Sequence, residues 1–173
     1  MKRLGLLRHA KSDWDGESED FERPISARGR RAAAAMGTAM REWGIAFDTL
    51  LASPARRVAE TIAMVETKYG PLGAGEEPRI YLASDRTLLD LVRAAPDDSS
   101  SLLLLGHNPG LHRLALRLAG SGEPELCARL GEKYPTATLA MLDLDIARWR
   151  DAGPGCGTLT MFLRPQDLEG GGG

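Results

Sequence analysis

The chain has 173 residues, of which 43% are hydrophobic and 27% charged, and its formal net charge at pH 7 is −2. This length and composition predict one globular domain with a sizeable core. The slight acidity disfavours a general nucleic-acid binder, which would carry a basic face. Apolar runs are too short for a membrane span, and charges interrupt the N-terminus where a signal peptide needs an apolar region. We therefore expect a cytoplasmic protein with neither nucleic acid nor membrane as partner.

Apolar runs and helical patterns alternate along most of the chain. Strands are predicted at 3–7, 47–53, 79–82, 102–105, 138–143 and 158–163. Helices are predicted at 27–43, 54–69 and 86–94, and from Pro109 onwards. Ser26 is expected to open the first helix, Pro54 to take the first position of the second, and Gly70 to end it.

The strand runs are apolar at consecutive positions, and helices separate them. Such a pattern indicates a largely parallel sheet that is covered by helices on both faces. The predicted fold is therefore α/β, with a single domain at residues 1–165. A glycine-rich tail at 166–173 is predicted to be disordered.

Three predicted strands end in the same way, at residues whose side chains or neighbours could bind an anion. The first runs into Arg8 and His9, the second into Ser53 with Arg57 four residues later, and the fourth into Gly106 and His107. In open α/β sheets, ligands bind at the carboxyl ends of strands, near helix N-termini that attract anions. The sequence therefore predicts that these three clusters form one anion site. Asn108 is expected to be the N-cap and Pro109 the first residue of the following helix, which would hold His107 just outside that helix.

Two histidines and two arginines at such an edge suit a tetrahedral oxyanion, with phosphate as the leading candidate, because arginine forks match phosphate oxygens. A neutral imidazole nitrogen can attack phosphorus and form a phosphohistidine if its other nitrogen is held by an acceptor. The second histidine would then donate to a phosphoryl oxygen, and the arginines would stabilise the same charge. The two cysteines, Cys127 and Cys156, lack the Cys-x5-Arg spacing of cysteine phosphatases. Each motif alone also fits an ordinary structural role, so the prediction depends on the ordered set.

The ordered set resembles the histidine phosphatase superfamily. The stretch "LLRHAKS" resembles its Arg-His-Gly signature, with Ala10 in place of the glycine, and "SPARRVAET" resembles its Ser-x-x-x-Arg-x-x-x-Thr segment. The stretch "LLLLGHNPGL" resembles the segment with the second histidine. Together with "ERPISARG" near the N-terminus, these stretches look most like the SixA-type phosphohistidine phosphatases. The resemblance implies a phosphoglycerate-mutase-like α/β fold.

The resemblance also implies roles for individual residues. His9 would be the nucleophile that is transiently phosphorylated, while Arg8, Arg57 and His107 would bind the phosphoryl group. Arg23 would be a further phosphate or substrate contact. No metal and no organic cofactor are expected in this family. The implied partner is a protein that carries phosphohistidine, or a small phosphorylated molecule.

The general acid is the main departure from larger relatives, which use a carboxylate from the middle of the chain. Asp85 is the available candidate there, but it also stands where the predicted helix needs an N-cap. A missing acid fits a phosphoramidate substrate, because a leaving imidazole needs less protonation than an alkoxide. Phosphohistidine phosphatase is therefore the leading expectation. A phosphomonoesterase of small metabolites and a non-catalytic phosphate- or phosphoprotein-binding module remain as alternatives.

Overall fold

The computed structural model describes residues 1–14 and 16–169. In this part of the chain the strands are β1 (Lys2–Arg8), β2 (Thr49–Ala52), β3 (Gly75–Glu76), β4 (Ser101–Gly106), β5 (Ala119–Gly122), β6 (Leu139–Leu144) and β7 (Gly157–Leu163). The α-helices are α1 (Ala27–Glu42), α2 (Arg56–Tyr69), α3 (Asp85–Arg93), α4 (Gly110–Leu118), α5 (Pro124–Glu132) and α6 (Pro165–Glu169). Short 3-10 helices occupy Asp20–Glu22, Pro78–Ile80 and Trp149–Asp151.

The strands form one sheet in the order β3-β2-β4-β1-β6-β7-β5. β1 pairs in parallel with β4, and β2 pairs in parallel with both β4 and β3. β6 is antiparallel to its two neighbours, β1 and β7, and β5 is parallel to β7. The predicted α/β fold with a largely parallel sheet is confirmed, with β6 as the strand that runs the other way.

Helices cover both faces of the sheet, and the leucine runs serve both. In β1, Leu4 and Leu6 pack into the core beneath α3, α4 and α5, whereas Leu7 packs into the core beneath α1 and α2. In β4, Leu102 and Leu104 face the first core and Leu103 and Leu105 face the second. Because successive side chains of a strand point to opposite faces, a strand that is buried on both faces is apolar at every position.

Several predicted boundaries hold. Ser26 is the N-cap of α1, and its side chain accepts a hydrogen bond from the Gly29 N–H. Gly70 ends α2 with φ of 100°, a backbone conformation that favours glycine. α2 begins at Arg56, two residues later than predicted, because Pro54 and Ala55 form the connection from β2.

Other local predictions are wrong. Residues 79–82 are not a strand: Pro78–Ile80 form a 3-10 helix that turns Ile80 into the core, and β3 takes the edge position beside β2. β5 and α5 were not predicted. α4 begins at Gly110 rather than Pro109. The predicted tail overlaps α6, and residues 170–173 lie outside the described residues, so their disorder stays a prediction.

Candidate active site

The carboxyl ends of β1, β2 and β4 meet at one edge of the sheet, as predicted. The His9 N–H donates to the Gly106 carbonyl at 3.1 Å, and the Ser53 N–H donates to the Leu105 carbonyl at 3.0 Å. These bonds continue the parallel ladder by one residue beyond the strands. They therefore bring the residue after each strand to the same level, where His9 and His107 lie with ring centroids 5.3 Å apart.

A pocket of about 460 Å³ opens at this edge. Its lining residues are Arg8, His9, Lys11, Ser12, Arg23, Arg57, Leu82, His107, Asn108 and Thr136. Five of the six residues that the sequence nominated therefore lie around one cavity. The sixth, Asp85, is not among the lining residues. No carboxylate lines the pocket among the described residues, whereas four basic side chains do.

His9 is held in one tautomer. Its ring nitrogen Nδ1 lies 2.7 Å from the Ala10 carbonyl oxygen, and a carbonyl oxygen can only accept, so the proton is on Nδ1. The lone pair is therefore on Nε2. Burial, with the neighbouring Arg8 and Arg57 charges, lowers the pKa of His9 to about 4, against the opposing effect of the Ala10 bond. His9 is consequently neutral near pH 7.

A buried relay fixes the carbonyl that orients His9. The Ala10 N–H donates to Thr61 Oγ1 at 2.9 Å, and the Thr61 hydroxyl donates to the Arg57 carbonyl at 2.6 Å. Ser53, Arg57 and Thr61 are the three residues of the predicted Ser-x-x-x-Arg-x-x-x-Thr segment. The threonine of that segment thus positions the histidine loop through its backbone.

His107 is 3% exposed, and its Nε2 lies 2.8 Å from Ser53 Oγ. Tyr81 packs edge-on against the ring, with centroids 5.6 Å apart. Burial first, and then the charge interactions with His9 and Arg57, lower the pKa of His107 to about 3. Its Nδ1 is buried and has no hydrogen-bond partner in the described part of the chain. Buried polar atoms are normally paired, so an unpaired atom in a pocket lining is available to a ligand.

The two central arginines are anchored by backbone carbonyls. Arg57 is 3% exposed, and its guanidinium donates to the Asp20 carbonyl at 2.7 Å and to Asp20 Oδ2 at 3.1 Å. Arg8 donates through Nη1 to the Tyr134 carbonyl at 2.9 Å. The Arg8 Nε is buried and unpaired among the described residues, so this N–H donor is available to a ligand.

Asp20 is a residue of the candidate site that the sequence analysis missed. Its Oδ2 accepts from the Tyr81 hydroxyl at 2.5 Å as well as from Arg57, and its Oδ1 accepts from Arg23 Nη1 at 3.3 Å. The Tyr81 hydrogen bond, followed by the Arg57 bond, holds the pKa of Asp20 below its usual value. An ionised Asp20 therefore orients two of the pocket arginines from outside the lining. The spacing Asp-x-x-Arg in "DFER" was the only sequence signal for this contact.

Arg23 reaches the pocket from the segment before α1. Besides its bond to Asp20, Arg23 donates through Nη2 to Ser12 Oγ at 2.7 Å. Its guanidinium carbon also lies 4.8 Å from the centroid of the Trp14 ring, a cation–π contact. Trp14 is 69% exposed, so the ring covers one face of Arg23 at the mouth of the pocket.

The structure does not bring Asp85 to the pocket. Asp85 is the first residue of α3 and pairs with Arg117 of α4 at 2.8 Å. The expectation that Asp85 caps this helix is also wrong, because Ser84 is the N-cap and accepts from the Thr87 N–H. Asn108 likewise caps nothing: its Nδ2 donates to the Tyr134 carbonyl beside Arg8.

The described part of the chain has neither a membrane-spanning helix nor a cluster of metal-binding side chains. No helix there is long and apolar enough to cross a membrane. Within residues 1–14 and 16–169, no group of three or more His, Cys, Asp or Glu side chains has the arrangement of a metal site.

Comparisons with known proteins agree with this geometry. The sequence model of the histidine phosphatase superfamily (branch 1) matches residues 4–80. The uncharacterized protein Rv1276c of Mycobacterium tuberculosis is 34% identical over 162 residues, which cover 92% of this chain and all of that protein.

Among solved structures, a candidate phosphohistidine phosphatase SixA from Agrobacterium tumefaciens is similar with a TM-score of 0.80 and 28% identity, over 95% of this chain and 98% of the other. The protein histidine phosphatase SixA complexed with tungstate has the same fold, with a TM-score of 0.77 at 21% identity over 96% and 99% of the two chains. The phosphoglycerate-mutase-like α/β fold and the phosphatase class expected from the sequence are thereby confirmed. The chain belongs to the histidine phosphatase superfamily.

Proposed function

We propose that this protein hydrolyses phosphohistidine on a protein, through a transient phosphohistidine at His9. The observation that carries the proposal is the Nδ1 bond of His9 to the Ala10 carbonyl, which leaves Nε2 as a neutral nucleophile in a pocket of cations. The likeness to the SixA structures supports the same substrate class.

The first step transfers the phosphoryl group to the enzyme. The Nε2 lone pair of His9 forms a bond to phosphorus while the bond from phosphorus to the substrate imidazole breaks. Arg8 and Arg57 stabilise the charge on the phosphoryl oxygens, and the buried unpaired Arg8 Nε and His107 Nδ1 supply further contacts. The donor role of His107 requires a proton on Nδ1, which is the tautomer in which Ser53 donates to Nε2.

The second step is hydrolysis of the phosphoenzyme. Water attacks phosphorus, the bond from phosphorus to His9 Nε2 breaks, and inorganic phosphate and neutral His9 are formed. Because Nδ1 of His9 remains bound to the Ala10 carbonyl, the free imidazole returns to its reactive tautomer. No proton has to be moved to or from His9 Nδ1 during the cycle.

The choice of phosphohistidine over an alkyl phosphate follows from the carboxylates. No described lining residue is an acid, Asp85 is paired with Arg117, and the lowered pKa of Asp20 keeps it ionised. An alkoxide leaving group needs a proton donor, whereas an imidazole that is already protonated on its other nitrogen leaves as a neutral molecule. The site is therefore better suited to a phosphoramidate than to a metabolite phosphomonoester.

The test is to trap the intermediate. Wild-type protein is mixed with a phosphohistidine peptide and quenched rapidly, and acid-labile phosphate on the protein is measured. We expect label on wild type and none on His9→Ala, whose turnover falls at least about a thousandfold because the nucleophile is gone. The matched control is His112→Gln, which alters a histidine that bonds the Leu130 carbonyl outside the pocket and should keep label and turnover.

Three results would contradict the proposal. Turnover that persists in His9→Ala would mean that water attacks directly. An alkyl phosphate that is hydrolysed faster than the phosphohistidine peptide, with a large loss in Asp85→Asn, would favour the metabolite phosphomonoesterase. Binding of phosphate without any turnover would favour the non-catalytic module.

A further inference from the structure

A second basic depression adjoins the pocket. It also has a volume of about 460 Å³ and shares Lys11 and Thr136 with the pocket lining. Its four cations are Lys11, Arg28, Arg31 and Lys133, and the surface between them is called the basic groove below. Glu169 is the single acidic residue among its described lining residues. In a chain of net charge −2, this groove is a local concentration of positive charge.

Within the described residues, no carboxylate forms an ion pair with a cation of the basic groove. All four side chains belong to exposed residues. Arg30, on the same helix as Arg28 and Arg31, instead pairs with Glu60 at 3.5 Å. The arginines that face the groove are thus the ones left without a carboxylate.

Local helix stability does not explain Arg28 and Arg31. They lie in the first turns of α1, and that helix has no acidic residue in its first turn. The N-terminal end of a helix carries partial positive charge, so arginines there are unfavourable by some tenths of a kcal/mol. Positions that break a local rule without a structural gain are expected at functional sites.

The basic groove is fixed relative to the nucleophile. The Ser26 N–H donates to the Lys11 carbonyl at 2.8 Å, and the Ser26 hydroxyl donates to the same oxygen at 3.1 Å. Gly29 allows this approach, because a Cβ at that position would collide with the Lys11 carbonyl oxygen. The start of α1 is therefore attached to the backbone two residues after His9.

We propose that the basic groove binds acidic side chains of the phosphoprotein whose phosphohistidine enters the pocket. This inference rests on the proposed function and specifies the partner. Its support is charge complementarity between unpaired cations from three segments and a surface rich in Asp and Glu. Long exposed side chains in an open groove suit a protein surface, whereas small-molecule sites enclose the ligand and fix it with a few buried polar groups.

Apolar groups at the mouth of the pocket also favour a protein partner. Leu82 lines the pocket, is 56% exposed and has φ of 51°, a conformation that is rare outside glycine. Trp14 lies on Arg23 and is 69% exposed. Large apolar side chains beside a charged opening give a protein surface area to bury around the reacting group.

The experiment separates the groove from the pocket. Four labelled peptides are compared by fluorescence anisotropy: each carries either histidine or a stable phosphonate analogue of phosphohistidine, flanked by either glutamates or serines. We expect glutamate flanks to tighten binding to wild type about fivefold with either central residue, and this gain to disappear in R28Q/R31Q. Lys133→Gln alters a different segment of the groove. In this variant the gain in affinity from glutamate flanks, expressed as a difference in log Kd, should be about half of the wild-type gain.

The control variant is R148Q/R150Q. These arginines are exposed and flank Trp149, whose indole N–H donates to the Ser99 carbonyl at the opposite end of β4 from the pocket. The control should keep the full gain from glutamate flanks. Equal affinities for glutamate and serine peptides in wild type would overturn the proposed role of the groove. An equal loss of the glutamate gain in R148Q/R150Q and R28Q/R31Q would overturn it as well.

Failure of the proposed function would give a different result. In that case the phosphonate would add nothing over histidine, while the effect of the glutamate flanks would remain and support the groove. The melting temperature of R28Q/R31Q should equal or exceed that of wild type, since two unfavourable charges are removed from a helix start. Loss of the gain together with a clearly lower melting temperature would assign these arginines to stability and reject the inference.

Discussion

The pocket and the basic groove both carry several cations, yet the cations are held in opposite ways. In the pocket, Arg57 is 3% exposed and fixed by two bonds to Asp20, and Arg8 is fixed by the Tyr134 carbonyl. In the groove, Arg28 and Arg31 are exposed and unpaired within the described chain. Fixed donors suit a charge that develops at one point, since they need no reorganisation, whereas exposed cations without a fixed partner suit a surface whose charges vary in position.

Among the variants that compare the two regions, replacement of arginine by lysine should change kcat/KM most. Arg57→Lys keeps the charge but removes the planar fork that bonds Asp20 and, in the proposed mechanism, the phosphoryl group, so kcat/KM for a phosphohistidine peptide should fall about a hundredfold. Arg28→Lys keeps all that the groove requires and should leave kcat/KM within about twofold. Arg56→Lys, next to Arg57 but paired with Glu60 on the surface, is the matched control on α2. Equal losses of kcat/KM in the three variants would contradict the distinction between fixed cations in the pocket and exposed cations in the groove.

A smaller effect is expected at Asp20, which acts through Arg57 and Arg23. Asp20→Asn keeps the shape but removes the charge, and we expect kcat to fall about tenfold with little change in KM, because the arginines lose alignment rather than charge. Tyr81→Phe removes one of the bonds to Asp20 and should cost less than Asp20→Asn. If Asp20→Asn raised KM and left kcat unchanged, this carboxylate would contact the substrate instead of orienting the arginines.

The smallest effect concerns pH, and it sharpens the contrast between buried and exposed groups. The pKa of His9 is lowered to about 4 and that of His107 to about 3, against about 6.5 in the unfolded chain. Below about pH 6.5 the unfolded chain therefore binds more protons than the folded one. The free energy of unfolding should fall by about 1 kcal/mol per pH unit for each of the two histidines as the pH falls from about 6 to 5.

Chemical denaturation of wild type and His107→Gln checks this prediction. The variant should lose roughly half of the slope in that window, and nitrogen-detected NMR should find both wild-type rings neutral at pH 5.5. Identical slopes in the two proteins, or a protonated His9 at pH 5.5, would show that the pocket does not suppress the histidine charge.

The residues on the strand ends could be predicted because the physics there is local. An apolar run that is buried on both faces has a recognisable pattern, and its last residue marks the sheet edge where ligands bind. His9, Ser53 and His107 each follow such a run directly, so sequence position fixed their place in the fold. The helix N-cap at Ser26 was predictable for the same reason, since capping depends on the residues of one turn.

The rest of the site depends on contacts between distant parts of the chain. Asp20 meets Arg57 and Tyr81 at sequence separations of 37 and 61 residues, and no local pattern encodes such pairs. Asp85 seemed a candidate acid because it was the available carboxylate in its region, but its partner Arg117 lies on another helix. The prediction of a strand at 79–82 is wrong because so short an apolar pattern does not distinguish a strand from a turn. Ile80 instead ends a 3-10 turn that buries its side chain.

The place of β1 in the sheet has a consequence for biosynthesis. β1, which ends directly before His9, lies between β4 and β6, which begin at Ser101 and Leu139, so both of its neighbours emerge from the ribosome long after it does. Until then the apolar middle of this strand, Leu4–Leu7, has neither edge paired and is open to association with other chains. The nascent chain therefore gains its chemistry only when most of the sequence has been made, and a chaperone that shields Leu4–Leu7 in the meantime would favour its yield.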